Sequence, residues 1–263
     1  MSLADKLPTR VFAAASEMRD VLGLLRPNKN RSYLHGLLFD SKGGSYRTEE
    51  MTFAVPKQAI PVSYRSRFYF DIYEKAERHL IRKHLSPDAR VVELGGCIGV
   101  VSCVINRLLR DGARHVVVEP NPSLIPTLTA NRDRNGCAFA IEQCLVGDGD
   151  SGVFSVGKLM SGNRVGMRRG RRITVPMRSF YDIERRAGFE ADTIVMDIEG
   201  GELDFMRLYA DALRRTNLVI IEVHDSILGA DGARFVRDTL SAAGLARVET
   251  ESLTEVWRRP RSA

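Results

Sequence analysis

The apolar positions of this chain change period along its length, and the changes separate a short leading part from a long regular one. Over residues 7–25, LPTRVFAAASEMRDVLGLL, they recur at helical spacing and predict an amphipathic helix. Its apolar face needs a partner, either the main domain or a second subunit, so a homo-oligomer contact is one use for it. RPNKNRS (26–32) reads as a linker. Residues 33–62 mix short extended runs with SKGG (41–44) and two prolines, which predicts hairpin-like or irregular structure. Residues 1–66 are thus expected to form an extension, serving as a lid or an oligomer contact.

From Phe70 the pattern becomes regular. DIYEKAERHLIRKHL (71–85) predicts a helix and RVVEL (90–94) a short buried strand. A helix over about 100–110 follows, then the strand HVVVE (115–119). The next helix is expected over 122–134, with Asn121 as N-cap, Pro122 in the first turn and Asn135-Gly136 as the stop. FAIEQCLV (139–146) reads as a third strand. Residues 147–176 break the rhythm with glycines and a basic run, which predicts a hairpin or loop insertion over 151–176. Alternation then resumes with TIVMD (193–197), a helix over 202–213, the apolar strand NLVIIEVH (217–224), a helix over 232–243, and two closing strands at 246–250 and 254–258. Strands alternating with helices and apolar almost throughout predict an α/β fold over 67–263. The sheet is expected to be doubly wound, mostly parallel and Rossmann-like, with one antiparallel edge strand.

Composition narrows the class little. No stretch approaches the roughly 18–20 apolar residues of a membrane span, and the N-terminus carries acids and no long apolar region, so a cytoplasmic protein is expected. The four cysteines form no CxxC pair and no zinc-type spacing with histidine, and they read as reduced and mostly buried. The net charge of +6 is spread out apart from RRGRR (168–172) and RRPR (258–261). Neither cluster is interleaved with aromatic residues, which disfavours nucleic acid as a partner and leaves solvated surface as the simpler account. Within the first cluster, Arg168 and Arg169 would suit a phosphate-bearing acceptor.

Ligands of open parallel sheets bind beyond the carboxyl ends of the strands. Those ends carry Glu93 and GGCIG (95–99), Glu119-Pro120, VGDGD (146–150), DIEGGE (197–202) and EVHD (222–225), so acids and glycines are concentrated there. The spacing Gly95-Gly96-Cys97-Ile98-Gly99 is not the G-x-G-x-x-G of a dinucleotide turn. An anion at Glu93 would repel a pyrophosphate and suit an amine-bearing cation. S-adenosylmethionine has an amino group, a sulfonium and no phosphate. Glu119 is expected to accept the two ribose hydroxyls. Asp197 ends a buried strand, which favours a site role, whereas Glu202 also has the helix-dipole explanation of an acid in a first turn. Glu222 and His224 share one face of their strand.

The segments VVELGGCIGVVSCV, VVVEPNPSLIPTLTANRDRN, TIVMDIEGGELDFM and VIIEVHD, in that order, resemble the FkbM-type methyltransferases, class I enzymes that use S-adenosylmethionine. The resemblance spans about residues 68–250 and covers neither the first 60 residues nor the 151–176 loop well. Gly95, Gly99, Glu119-Pro120, Asn131 and Asp197-Ile-Glu-Gly-Gly-Glu202 keep the family pattern. Glu93 stands where Asp is commoner, and Cys97 replaces the usual Asn. The resemblance implies a cofactor site of Glu93, Gly95, Gly96, Cys97, Gly99, Glu119, Pro120, Asn121, Val146, Asp148 and Asp197. From their places at the strand ends His224 and Asp197 are the expected catalytic groups, with Glu199 and Glu222, and Arg168 and Arg169 of the basic loop, on the acceptor side. A divalent metal on Asp197 and Glu222 is a variant not favoured at this point. The implied reaction is methylation of a hydroxyl on a sugar, a polysaccharide precursor or a natural product. Two other readings stay open: an NAD(P)-dependent oxidoreductase, and a non-catalytic or RNA-binding protein on the same fold.

Overall fold

The computed structural model describes residues 29–156, 164–165 and 171–260. The helix expected over 7–25 lies outside the described residues, as do Arg168 and Arg169. The chain forms two compact units, Met1–Lys75 and Ala76–Ala263, divided somewhat later than the expected boundary after residue 66.

In the first unit, helix α1 (Lys29–Ser41) occupies residues expected as linker and irregular chain. Its pattern hid it: Tyr33, Leu34, Leu37 and Leu38 are exposed while Phe39 is buried, so no single apolar stripe marks the helix. Gly36 explains how α1 meets helix α2 (Val62–Tyr69), because a Cβ there would stand 1.7 Å from the Val62 carbonyl oxygen. Between the helices runs the expected hairpin, β1 (Ser45–Thr48) and β2 (Met51–Ala54). Its loop residues Glu49 and Glu50 both have positive φ, as a tight two-residue hairpin turn requires.

After helix α3 (Lys75–His84), expected over 71–85, the second unit is built on a seven-stranded sheet. Its members are β3 (Val91–Leu94), β4 (His115–Val118), β5 (Ala140–Glu142), β10 (Thr193–Met196), β11 (Leu218–Glu222), β12 (Ala246–Glu251) and β13 (Thr254–Arg258). The order is β12-β13-β11-β10-β3-β4-β5. The five strands from β11 to β5 are parallel, and β13 is antiparallel to both its neighbours, one place in from the outermost strand β12. Every residue of β3, β4 and β10 is buried, as expected of strands covered on both faces. On one face Val92, Leu94, Ile194, Met196, Val219 and Ile221 meet Phe180, Ile183, Phe205, Met206, Val236 and Leu240. These come from α6 (Phe180–Ala187), α7 (Glu202–Leu208) and α9 (Asp225–Ala242). The doubly wound, mostly parallel fold is as the sequence implied.

Several boundaries differ for local reasons. The strand expected over 139–146 ends at Glu142. After it, Leu145–Val146 (β6) joins a second sheet of order β6-β9-β7-β8, with β7 (Ser151–Val156), β8 (Arg164–Val165) and β9 (Arg171–Arg178). The helix after β4 is α5 (Ile125–Arg134), and Asn121 works one turn earlier, its Oδ1 accepting from the Ser123 N–H at 3.0 Å. The helix expected over 202–213 breaks at Tyr209 into α7 and α8 (Ala210–Arg215). Helix α9 starts at Asp225, earlier than expected, because Gly229 (φ 70°, ψ 169°) interrupts it and conceals its first turn.

Candidate active site

The strand order reverses between β3 and β10, where the chain first steps outward to β4 and later resumes on the other side. Crevices for ligands form at such a reversal. Here the first glycine turn and the DIEGGE segment are in direct contact. The Asp197 N–H donates to the Leu94 carbonyl at 3.0 Å, and a Cβ on Gly95 would stand 1.9 Å from the Asp197 carbonyl oxygen. Gly95 also holds φ +100°, so both space and backbone conformation demand glycine.

Beyond Gly95 the turn leads into α4 (Val100–Leu108). Cys97 sits in the left-handed region (φ 47°) and is half-buried. Its N–H donates to Glu119 Oε2 at 2.8 Å, and the Asn121 N–H donates to Glu119 Oε1 at 2.7 Å. Glu119, at the end of β4, is 5% exposed. Burial pushes its carboxyl up to about 7, against the pull of the Asn121 and Cys97 N–H groups. Asn131 on α5 ties that helix to the turn, its Nδ2 donating to the Ile98 carbonyl at 2.8 Å. Gly96 is buried, Gly99 has φ +83°, and Pro120 is half-buried. Gly95, Gly96, Cys97, Gly99, Glu119, Pro120 and Asn121 thus lie in the turns that follow β3 and β4, tied together through Glu119.

Glu93 departs from its expected place. Its side chain points under α4 rather than out of the strand end, because it lies inside β3 and alternates away from Val92 and Leu94. It is 2% exposed, accepts from Ser102 Oγ at 2.7 Å on Oε1, and pairs with His115 Nε2 at 3.0 Å on Oε2. Glu93 therefore fastens α4 and β4 behind the turn. Val146 and Asp148, also expected at the cofactor, have partners of their own. Val146 belongs to β6 and packs on the core, and Asp148 accepts from the Tyr209 hydroxyl at 3.3 Å.

The ends of β10 and β11 bring a second group together around His224, which is 8% exposed. Its Nδ1 lies 2.7 Å from Glu202 Oε1. Its Nε2 faces Asp197 Oδ1 at 3.6 Å, Glu199 Oε2 at 3.6 Å and Glu222 Oε1 at 3.9 Å. Burial alone would lower the imidazole. The Glu202 hydrogen bond and the charges of Asp197, Glu202 and Glu222 outweigh it and carry His224 to about 9. Burial raises Asp197 to about 6 even though the charge on His224 pulls it down. Asp197 Oδ1 and Glu202 Oε2 are buried oxygens without a hydrogen-bond partner among the described residues. Glu199 is held in the left-handed region (φ 51°), which turns the loop back beneath His224.

Sequence reasoning missed two parts of this arrangement. Glu202 is not merely a first-turn acid: it is fully buried and fixes the His224 ring. Its place among the acids of DIEGGE, directly after a buried strand, was the available signal. His115 and Ser102, the partners of Glu93, carried no pattern that marks them.

An open sheet of this order, with an acid-and-glycine crevice at the reversal and an antiparallel strand between the last two parallel positions, is the class I methyltransferase architecture. The chain belongs to the Methyltransferase FkbM domain family, which matches residues 93–245. No curated protein matches it. Among solved structures it is similar to a precorrin-6y C5,15-methyltransferase from Geobacter metallireducens GS-15 (14% identity, 79% of this chain and 94% of that one, TM-score 0.46). It is also similar to an O-methyltransferase from Bacillus cereus in complex with SAH (12%, 96% and 100%, 0.44). A third is the O-methyltransferase TomG from Streptomyces achromogenes, involved in tomaymycin synthesis, in complex with SAM (14%, 94% and 96%, 0.42). No described helix is long and apolar enough to cross a membrane.

Proposed function

We propose that the protein transfers a methyl group from S-adenosylmethionine to a hydroxyl of a small-molecule or saccharide acceptor. The observation that carries this reading is the bond from the Cys97 N–H to Glu119. A pyrophosphate-binding turn offers its backbone N–H groups to the ligand. Here that N–H is taken by a carboxylate, so the turn presents an acid, which suits a ribose diol and a cationic sulfonium. Each Glu119 oxygen accepts one backbone N–H and retains capacity for a ribose hydroxyl. This replaces Glu93 as the argument against a dinucleotide.

Transfer requires acceptor oxygen, methyl carbon and sulfur in line, and holding them so is worth about 7–11 kcal/mol of barrier at most. The O–C bond forms as the C–S bond breaks, leaving S-adenosylhomocysteine, and the hydroxyl proton passes to a base. The acid group around His224 stands beside the glycine turn through the Gly95–Asp197 contact. At neutral pH His224 carries a proton and Asp197 is mostly ionised, so Asp197 is the proton acceptor and His224 sets its orientation. Glu199 and Glu222 flank the acceptor oxygen. A tritiated-methyl screen over nucleotide-linked sugars, polysaccharide fragments and natural-product alcohols tests the reading. Label transferred to an alkali-stable ether supports it, and transfer only to nitrogen or carbon would overturn the hydroxyl assignment.

A further inference from the structure

The group around His224 has a geometry that its proton-transfer role does not require. Nδ1 is fixed by Glu202 at 2.7 Å, so Nε2 is directed away from it into a space bounded by Asp197, Glu199 and Glu222. Around Nε2 the three carboxylates stand at 3.6, 3.6 and 3.9 Å. Asp197 Oδ1, one of the atoms facing Nε2, is buried and has no hydrogen-bond partner among the described residues. Ligand atoms of Asp197, Glu199 and His224 all lie within 4.8 Å of one another. Four carboxylates, those of Asp197, Glu199, Glu202 and Glu222, gather around a single imidazole.

We infer that Asp197, Glu199 and His224 form a binding site for one divalent cation of the Mg²⁺/Mn²⁺ class, with Glu202 orienting His224 from behind. Neighbouring ligand atoms on a six-coordinate ion of this size sit about 3 Å apart. The 3.6 Å from Nε2 to Asp197 and to Glu199 is about half an ångström wider than that. A carboxylate that accepts from one imidazole nitrogen while the other ligates is the usual support of a metal-binding histidine. Carboxylates with one imidazole suit Mn²⁺ and Mg²⁺ better than the thiolate-seeking ions. The cation supplies the positive charge at Nε2 that a proton supplies in its absence. Its remaining coordination positions would take the acceptor oxygen and lower the pKa of that hydroxyl. This changes the ligand set expected from sequence, Asp197 with Glu222, by bringing in Glu199 and His224.

The inference rests on the reading of this cluster as the acceptor site, and the test separates the two. Mn²⁺ is titrated into chelator-stripped full-length protein and free Mn²⁺ is followed by electron paramagnetic resonance, with no cofactor or acceptor present. One ion per chain is expected, displaced by Mg²⁺. Asp197→Asn and Glu199→Gln are each expected to weaken it by about tenfold or more, while Asp204→Asn, on the exposed side of α7, leaves it unchanged. Absence of saturable uptake, or equal affinity in all variants of native melting behaviour, overturns the site. Methyl transfer that persists in excess chelator without Mn²⁺ uptake rejects the cation alone. Mn²⁺ uptake in a protein that binds no S-adenosylmethionine upholds the cation site and rejects the methyl-transfer reading.

Discussion

The N–H of Cys97 donates to Oε2 of Glu119 across 2.8 Å, joining the turn after β3 to the end of β4. One bond thereby fixes the left-handed cysteine, positions the Glu119 carboxylate, and occupies a donor that a pyrophosphate would need.

Cofactor affinity should depend on the charge of Glu119. Burial raises its pKa to about 7, so the unliganded fold favours the protonated form. That contribution to stability is complete below the unfolded carboxyl's ordinary value and is lost as pH rises through about 7. Ribose hydroxyls donate to the ionised form, so affinity runs the opposite way. S-adenosylmethionine is expected to bind about tenfold more tightly at pH 8 than at pH 6, as the competent fraction of Glu119 grows. Calorimetric titration across that range checks it, and a flat profile removes Glu119 from the ribose site.

Gly95→Ala should be among the most damaging single changes. Its Cβ would stand 1.9 Å from the Asp197 carbonyl oxygen at φ +100°. The expected loss is about 3 kcal/mol or more. Gly136→Ala is the control, with φ +63° and no atom within 4 Å of the added Cβ. There only backbone strain of about 1–2 kcal/mol applies. Denaturant midpoints of the two variants should differ accordingly, and equal losses would show that the close approach has no energetic weight.

Glu93 should act on stability rather than on the ligand. Glu93→Ala leaves Ser102 and His115 buried without their partner, at an expected cost of about 3 kcal/mol. Glu93→Gln, at a temperature where it is folded, should keep its affinity for S-adenosylmethionine within about threefold, the scale of a group that touches no ligand. A large affinity loss with unchanged melting would return Glu93 to the ligand surface.

Glu202→Gln should separate binding from turnover. Glu202 touches His224 and lies behind it, so cofactor affinity should hold while kcat falls by about tenfold or more as the ring loses its anchor. A loss confined to cofactor affinity would contradict the positioning role.

Residue pattern revealed the sheet because its strands are apolar on both faces and its turns carry glycine. Val91–Leu94, His115–Val118, Thr193–Met196 and Leu218–Glu222 fall where periodicity put them. The polar chemistry was legible only in part. Strand ends marked Glu119, Asp197 and His224, since position along a strand decides what reaches its carboxyl edge. Which way a side chain leaves the strand decides whether it meets a ligand or a neighbouring helix, and this put Glu93 under α4. Helix α1 escaped because its exposed leucines match no apolar stripe, and β6 escaped because one apolar run, FAIEQCLV, feeds two sheets. Glu202 was visible as an acid but not as the partner of His224, a contact made across 22 residues of chain.

The central claim is that the crevice at the ends of β3 and β4 binds S-adenosylmethionine and not a dinucleotide. Isothermal titration of the full-length protein with S-adenosylmethionine and with NAD at pH 8 tests it directly. The structure predicts saturable binding of S-adenosylmethionine at one molecule per chain, lost in Glu119→Ala, and no heat with NAD. Saturable binding of NAD, or S-adenosylmethionine binding indifferent to Glu119, would contradict it.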